Sequence, residues 1–237
     1  MQVDLIAHTV LAEDYETDGK ILDRTEYTRH GAWSGVSHAD ELAEFAGRSC
    51  YTSWKRPNPA TATNEGYIAN ILKQGHFSVL EHASATFYVQ GVSRALTHEL
   101  IRHRHLSYSQ LSQRFVNEDR EDDLVLPPAA RGDEEAERHH EYAHELAHNM
   151  YDILVKHYTE KGLPRKQARE AARAVLPNQQ ETKLTITANL RGWREFIQKR
   201  NTEAADAEIR ILAQKILERL REIAPHSVQD LEDGPYA

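Results

Sequence analysis

Residues 83–114 read ASATFYVQGVSRALTHELIRHRHLSYSQLSQR, and this stretch decides the fold class. Its first eight residues alternate: Ala83, Ala85, Phe87 and Val89 fall on one face, and Ser84, Thr86, Tyr88 and Gln90 on the other. That period of two predicts a strand with one buried side. Ser93 then stands where a hydroxyl caps a helix over 94–104, with Leu96 and Leu100 one turn apart. Arg102, His103 and Arg104 fall at its carbonyl end, where cations are favoured. Ser107 to Arg114 read as an extended loop of hydroxyls and amides wrapped against whatever the arginines bind. Guanidinium forks beside neutral hydrogen-bonding groups suit a phosphate-bearing ligand; a solvated basic face is the competing reading.

Elements of both kinds extend outward from this core. A first strand is expected at 2–10, a polar irregular segment at 12–38, and helices at 39–50 and 63–73, the latter stopped by Gly75. Beyond a turn at Pro127 and Pro128, a very polar helix is expected at 133–160 and another at 164–175. Leu184, Ile186 and Ala188 alternate in a further strand, and helices follow at 191–199 and 203–224. The reading is one mixed α/β (α+β) domain over 1–225, a twisted sheet flanked by helices, with a flexible tail at 226–237.

Composition narrows the function. The chain has 237 residues and a formal charge of −8, which argues against bulk nucleic-acid binding while leaving room for a local anion site. Cys50 is the only cysteine, so an intrachain disulfide framework is excluded and a reducing, cytoplasmic setting is expected. No run reaches the roughly 18–20 apolar residues that span a bilayer, so no membrane partner is expected. Cys50 has no adjacent histidine to make a thiolate and reads as a small buried hydrophobe. Neither a Walker sequence nor a G-x-G-x-x-G is present, so a nucleotide would be held by side chains and helix ends.

A rival motif is His144-Glu145-Leu146-Ala147-His148. On a helix this spacing puts two imidazoles on one face for zinc, with the glutamate as base, so a zinc-dependent hydrolase is the alternative reading. The longer metalloprotease pattern is not met, because Tyr151 and Leu154 stand where it wants glycine and histidine. His and Glu crowd the whole of 133–148, as in an exposed polar helix face. Arg165, Arg169 and Arg173, spaced by four, are expected on one helix face.

Arg102-His103-Arg104, seven residues and then Ser112 resemble the RHR-x7-S signature of flavin-dependent thymidylate synthases. GRSCYTSW, GHFSVLEHASATFYV, THELIRHRHLSYSQLSQRF, RKQAREAARAVLPN and NLRGWREFIQKR extend the resemblance over roughly 45–116 and 164–210. The segment 133–160 looks like a variable helical insertion. The resemblance implies reductive methylation of dUMP to dTMP, with 5,10-methylenetetrahydrofolate as carbon donor, FAD as cofactor and NADPH as reductant. It also implies a homotetramer whose active sites are shared between subunits, and no metal. By the same resemblance Arg200 activates the uracil ring, and His76 lies on the folate side. Flavin contacts would come from Ser78, Arg102, His103, Arg104, Gln110, Asn189, Leu190, Arg191 and Glu195. The nucleotide would meet Glu99, Leu100, Ile101 and Arg102, then Gln110, Leu111, Ser112, Gln113 and Arg114, with Arg173 and Arg200. Two positions depart from the family pattern: Glu195, where a neutral or cationic flavin contact is usual, and Ala204, where a histidine is expected.

Overall fold

Residues 1–12, 35–55, 58–116 and 123–236 are described by a computed structural model. Four strands form one antiparallel sheet: β1 (Gln2–His8), β2 (Ser84–Ser93), β3 (Ser107–Gln110) and β4 (Glu181–Asn189), in the order β1-β2-β4-β3. The alternation read from sequence sets the two faces. Ala85, Phe87 and Val89 of β2 and Leu184, Ile186 and Ala188 of β4 are buried, while Thr86, Thr185 and Thr187 stay partly exposed. Register puts Phe87 beside Ile186 and Thr86 beside Thr187, whose hydroxyls meet at 2.9 Å.

Seven α-helices accompany the sheet among the described residues. They are α1 (His38–Tyr51), α2 (Asn64–Gln74), α3 (Arg94–Leu100), α4 (Glu134–Glu160), α5 (Arg165–Ala172), α6 (Leu190–Arg200) and α7 (Ala207–Ile223). Trp193, Phe196 and Ile197 of α6 and Ile209, Leu212, Ile216 and Leu220 of α7 join the inner sheet face in a single core. Trp193 meets Phe87 edge-on at 5.1 Å and donates its indole N–H to the Ala85 carbonyl, so the large ring is buried without an unsatisfied donor. No helix among the described residues is long and apolar enough to cross a membrane.

The local signals behave as their chemistry requires. Ser93 accepts from the Leu96 N–H as the N-cap of α3, and Gly75, at φ 69°, closes α2 in the left-handed conformation that glycine tolerates best. Where the structure departs from sequence expectation, longer-range contacts are responsible. The irregular segment expected at 12–38 lies largely outside the described residues. α3 stops at Leu100 rather than 104, because the Tyr108 hydroxyl donates to the Leu100 and His103 carbonyls at 2.6 and 3.0 Å. The expected extended loop at 107–114 instead begins as β3, paired with β4 from Ser107–Thr187 to Gln110–Leu184. α5 ends at Ala172, so Arg173 starts a 3-10 turn and leaves the face it was expected to share.

The segment from 226, expected as a flexible tail, is packed. Ser227 and Val228 are fully buried, and the Asp40 carboxylate accepts from the His226 and Ser227 N–H groups and the Ser227 hydroxyl. Arg194 grips Asp230 through both guanidinium ends at 2.6 and 2.8 Å. Further on, the Asn201 side chain donates to the Glu232 and Gly234 carbonyls, and Tyr236 N–H donates to the Asn201 carbonyl.

Candidate active site

α6 carries Arg200 to the rim of the core. Asn189 caps the helix by accepting from the Gly192 N–H at 2.8 Å, and buried Phe196 and Ile197 fix the turn that precedes Arg200. The guanidinium is then held on three sides. Nε–H donates to His103 Nε2 at 2.9 Å, Nη1 to the Glu99 carboxylate at 2.5 Å, and Nη2 to the Glu99 carbonyl at 3.2 Å. Three of about five N–H donors are thereby engaged, and the remainder can meet a ligand.

His103 turns inward, against the expectation that it stands with Arg102 and Arg104 as a cationic contact. It is buried edge-on against Phe196 at 5.1 Å. Burial, with the positive charges of Arg200 and Lys199 nearby, depresses its imidazole to about 4. It is therefore neutral at pH 7, with Nε2 bare as an acceptor and the proton on Nδ1. Burial and a side-chain hydrogen bond with Asp206 hold the Glu99 carboxyl above its usual range, and the Arg200 guanidinium opposes them.

Arg102 and Arg104 are exposed, in the turn between α3 and β3. The Arg102 Nε–H donates to the His98 carbonyl at 3.4 Å. That turn abuts the start of α6: a Cβ on Gly192 would lie 3.6 Å from the His105 carbonyl oxygen and 3.4 Å from Asn189 Oδ1. Ser78 and His76 sit exposed at the 3-10 turn Phe77–Glu81, which Arg191 joins to α6 by a 2.5 Å ion pair with Glu81. Glu195 is occupied by Lys199 at 2.5 Å, which lowers its carboxyl pKa. Around the α3–β3 turn, then, the chain gathers Glu99, Arg102, His103, Arg104, Asn189, Arg191 and Arg200.

A second group lies beyond the other end of β3. Gln110 donates to Thr182 Oγ1 at 3.2 Å, and Leu111 N–H donates to the Lys183 carbonyl at 2.9 Å. Arg94 braces the same loop by donating to the Leu111 carbonyl at 3.0 Å. Ser112 is half-buried, and the buried Gln113 amide nitrogen has no partner among the described residues. Arg114 stands 3.7 Å from Glu170, and Arg173 is exposed. Arg169 is spent on structure: it is buried and donates to the Phe115 carbonyl at 2.8 Å.

The residues singled out in sequence thus divide between two stations at opposite ends of β3. Ile101 is exposed beside the first. The Leu100 and Leu190 side chains belong to the core, the Leu190 N–H is taken by the Ala83 carbonyl, and the Leu100 carbonyl by Tyr108. Ala204 is exposed in the turn before α7. Cys50, expected to be buried, is exposed on α1. The hydrolase reading of the His-Glu-x-x-His run fails on geometry, since Glu145 is exposed while His144 and His148 face inward to Asp123. Tyr108, Arg94 and Asn201 were not singled out by sequence; the position of Asn201 directly after Arg200 was the only local hint.

The donor set fits a polyanionic ligand. Arg102, Arg104 and Arg173 have no carboxylate partner among the described residues, on a chain of net charge −8. Uncompensated guanidinium on an acidic protein matches phosphate and pyrophosphate oxygens.

The profile of the thymidylate synthase complementing protein family matches residues 34–226. The chain is 52% identical over 203 residues to a flavin-dependent thymidylate synthase from Mycobacterium avium, covering 83% of this chain and 81% of that protein. It is 51% identical over 198 residues to the enzyme of that name from Mycobacterium tuberculosis, covering 81% and 79%. Similarity to the "Probable flavin-dependent thymidylate synthase" of Mycobacterium phage D29 is 48% over 242 residues, covering 100% of this chain and 99% of the other.

Proposed function

The chain belongs to the flavin-dependent thymidylate synthase family, and from that premise we propose how its residues divide the conversion of dUMP to dTMP. Arg200 activates the pyrimidine. C5 of uracil attacks poorly until electron density enters the ring, and a guanidinium held in place stabilises negative charge there as the N3 proton leaves. The observation that carries this reading is the three-sided clamp on Arg200 by Glu99 and neutral His103. A protonated His103 would repel the guanidinium and remove the acceptor that orients it.

FAD would be held by Arg102 and Arg104 at its pyrophosphate, with Ser78, Asn189 and Arg191 beside them and His76 on the folate side. When bound and reduced by NADPH it supplies the hydride, while 5,10-methylenetetrahydrofolate supplies the carbon. Gln110, Ser112, Gln113, Arg114 and Arg173 take the nucleotide, the last two as its phosphate partners. Ser112 serves as a hydrogen-bond donor rather than a nucleophile, having no histidine–carboxylate pair among the described residues to activate it.

The two stations at opposite ends of β3 support an active site completed between subunits of a homotetramer. One protomer offers Arg200, and another offers the 110–114 loop with Arg173. Cytoplasm is the compartment that suits the unpaired Cys50. The test is dTMP formation from dUMP and methylenetetrahydrofolate, dependent on FAD and NADPH. Flavin reduction without dTMP would overturn the reading.

A further inference from the structure

Outside the active site, one buried cluster is absorbed by none of this chemistry. His144 and His148, one turn apart on α4, present the same ring nitrogen to the same point. His144 Nε2 lies 2.6 Å from Asp123 Oδ1, and His148 Nε2 lies 3.3 Å from Asp123 Oδ2 and 2.6 Å from Gln180 Oε1. The Gln180 amide nitrogen donates to Asp123 Oδ2 at 2.9 Å. All four residues are at most 8% exposed.

Charge is the difficulty for such a cluster. Among the described residues the only ion-pair partners of Asp123 are His144 and His148. Neutral imidazoles leave the buried carboxylate uncompensated, which is costly. Two imidazolium rings with centroids 4.4 Å apart would repel each other. One imidazolium beside one neutral ring would balance the carboxylate with a proton; a divalent cation is the alternative that neutralises it while binding both rings in their neutral form. Tetrahedral zinc, with bonds of about 2.0–2.2 Å, places ligand atoms roughly 3.3 Å apart. The His148–Asp123 separation already matches, and the ligand atoms of Asp123, His144 and His148 all lie within 4.8 Å of one another.

We propose that Asp123, His144 and His148, with the Gln180 carbonyl oxygen in reach, form a structural site for a zinc-class divalent cation. The ligands come from three segments: the strand-like stretch before Pro127, helix α4, and the residue preceding β4. Asp123 already pairs its carbonyl with the Glu181 N–H, so the ion would staple α4 to the start of β4. The ligand residues are buried while Glu145 is exposed, so the role is structural rather than hydrolytic.

The test uses the full chain, stripped with a chelator and titrated with Zn²⁺ alone. Metal content is measured by mass spectrometry, affinity by competition with a chromophoric chelator, and stability by thermal unfolding. One tight equivalent per chain is expected, with a rise in melting temperature on adding zinc. Asp123→Asn and His148→Gln should each bind at least about tenfold more weakly. If a variant fails to fold, stripping and refilling the unaltered chain still decides the matter. Absence of a tight equivalent, or zinc binding unchanged in both variants, would overturn the site and leave a network closed by protons. None of these readouts involves dTMP formation, so their failure is separate from failure of the synthase reading.

Discussion

The Arg200 Nε–H donates to a bare His103 Nε2 at 2.9 Å, joining two residues 97 positions apart. The middle residue of the basic run is therefore a buried acceptor that aims a guanidinium, while its neighbours Arg102 and Arg104 face solvent. Charge and orientation in the site depend on that inward turn.

Removing the guanidinium should remove the activation it supplies. Arg200→Ala is expected to lower dTMP formation by about 10²–10³-fold, the scale of losing an oriented donor from a developing anion. Flavin absorbance of the purified variant should persist, since Arg102 and Arg104 remain. Coincident loss of flavin and turnover would mean that Arg200 holds the cofactor.

His103 also ties stability to pH. Its folded pKa, about 4, lies below the ordinary 6.5, so its contribution is complete above pH 6.5 and is lost as pH falls towards 4. The shift corresponds to about 3 kcal/mol at its limit. Denaturant titrations between pH 7.5 and 4 should show that decline. His103→Gln keeps an acceptor without a titrating ring and should flatten it; equal slopes in the two proteins would refute the assignment.

Arg114→Ala and Arg173→Ala should each weaken dUMP binding about 10–100-fold, the loss of one charge-assisted hydrogen bond set. Because these residues and Arg200 occupy separate stations, two impaired variants should rescue one another. Mixing Arg200→Ala with Arg114→Ala subunits under exchange conditions should restore part of the activity. Activity no greater than the sum of the parents would place each site within one chain.

The C-terminal segment is expected to steady Arg200 from behind. Asn201 is fully buried, donates to the Glu232 and Gly234 carbonyls, and accepts from the Gln214 amide at 3.1 Å. Asn201→Ala should cost about 2–4 kcal/mol, since it strands buried partners. Calorimetry would measure this, and an unchanged melting temperature would show the segment to be dispensable.

Cys50→Ala should leave turnover intact. The thiol is exposed on α1, and neither station includes it. A folded but inactive variant would point to thiolate addition at C6.

What the sequence determined by itself was short in range. Alternation placed β2 and the centre of β4, Ser93 and Gly75 marked helix ends, and Arg102–Arg104 with Ser112 marked the family. Those signals act within a few residues, through side-chain period and local hydrogen bonds, so they can be read from the chain alone. Tertiary structure decided the rest. Tyr108 ends α3, β4 turns a loop into β3, Asp40 secures Ser227 across 187 positions, and Asp123 meets two histidines of α4. Each outcome depends on which polar groups are buried together and must find partners. That is a property of packing between distant segments rather than of any local pattern.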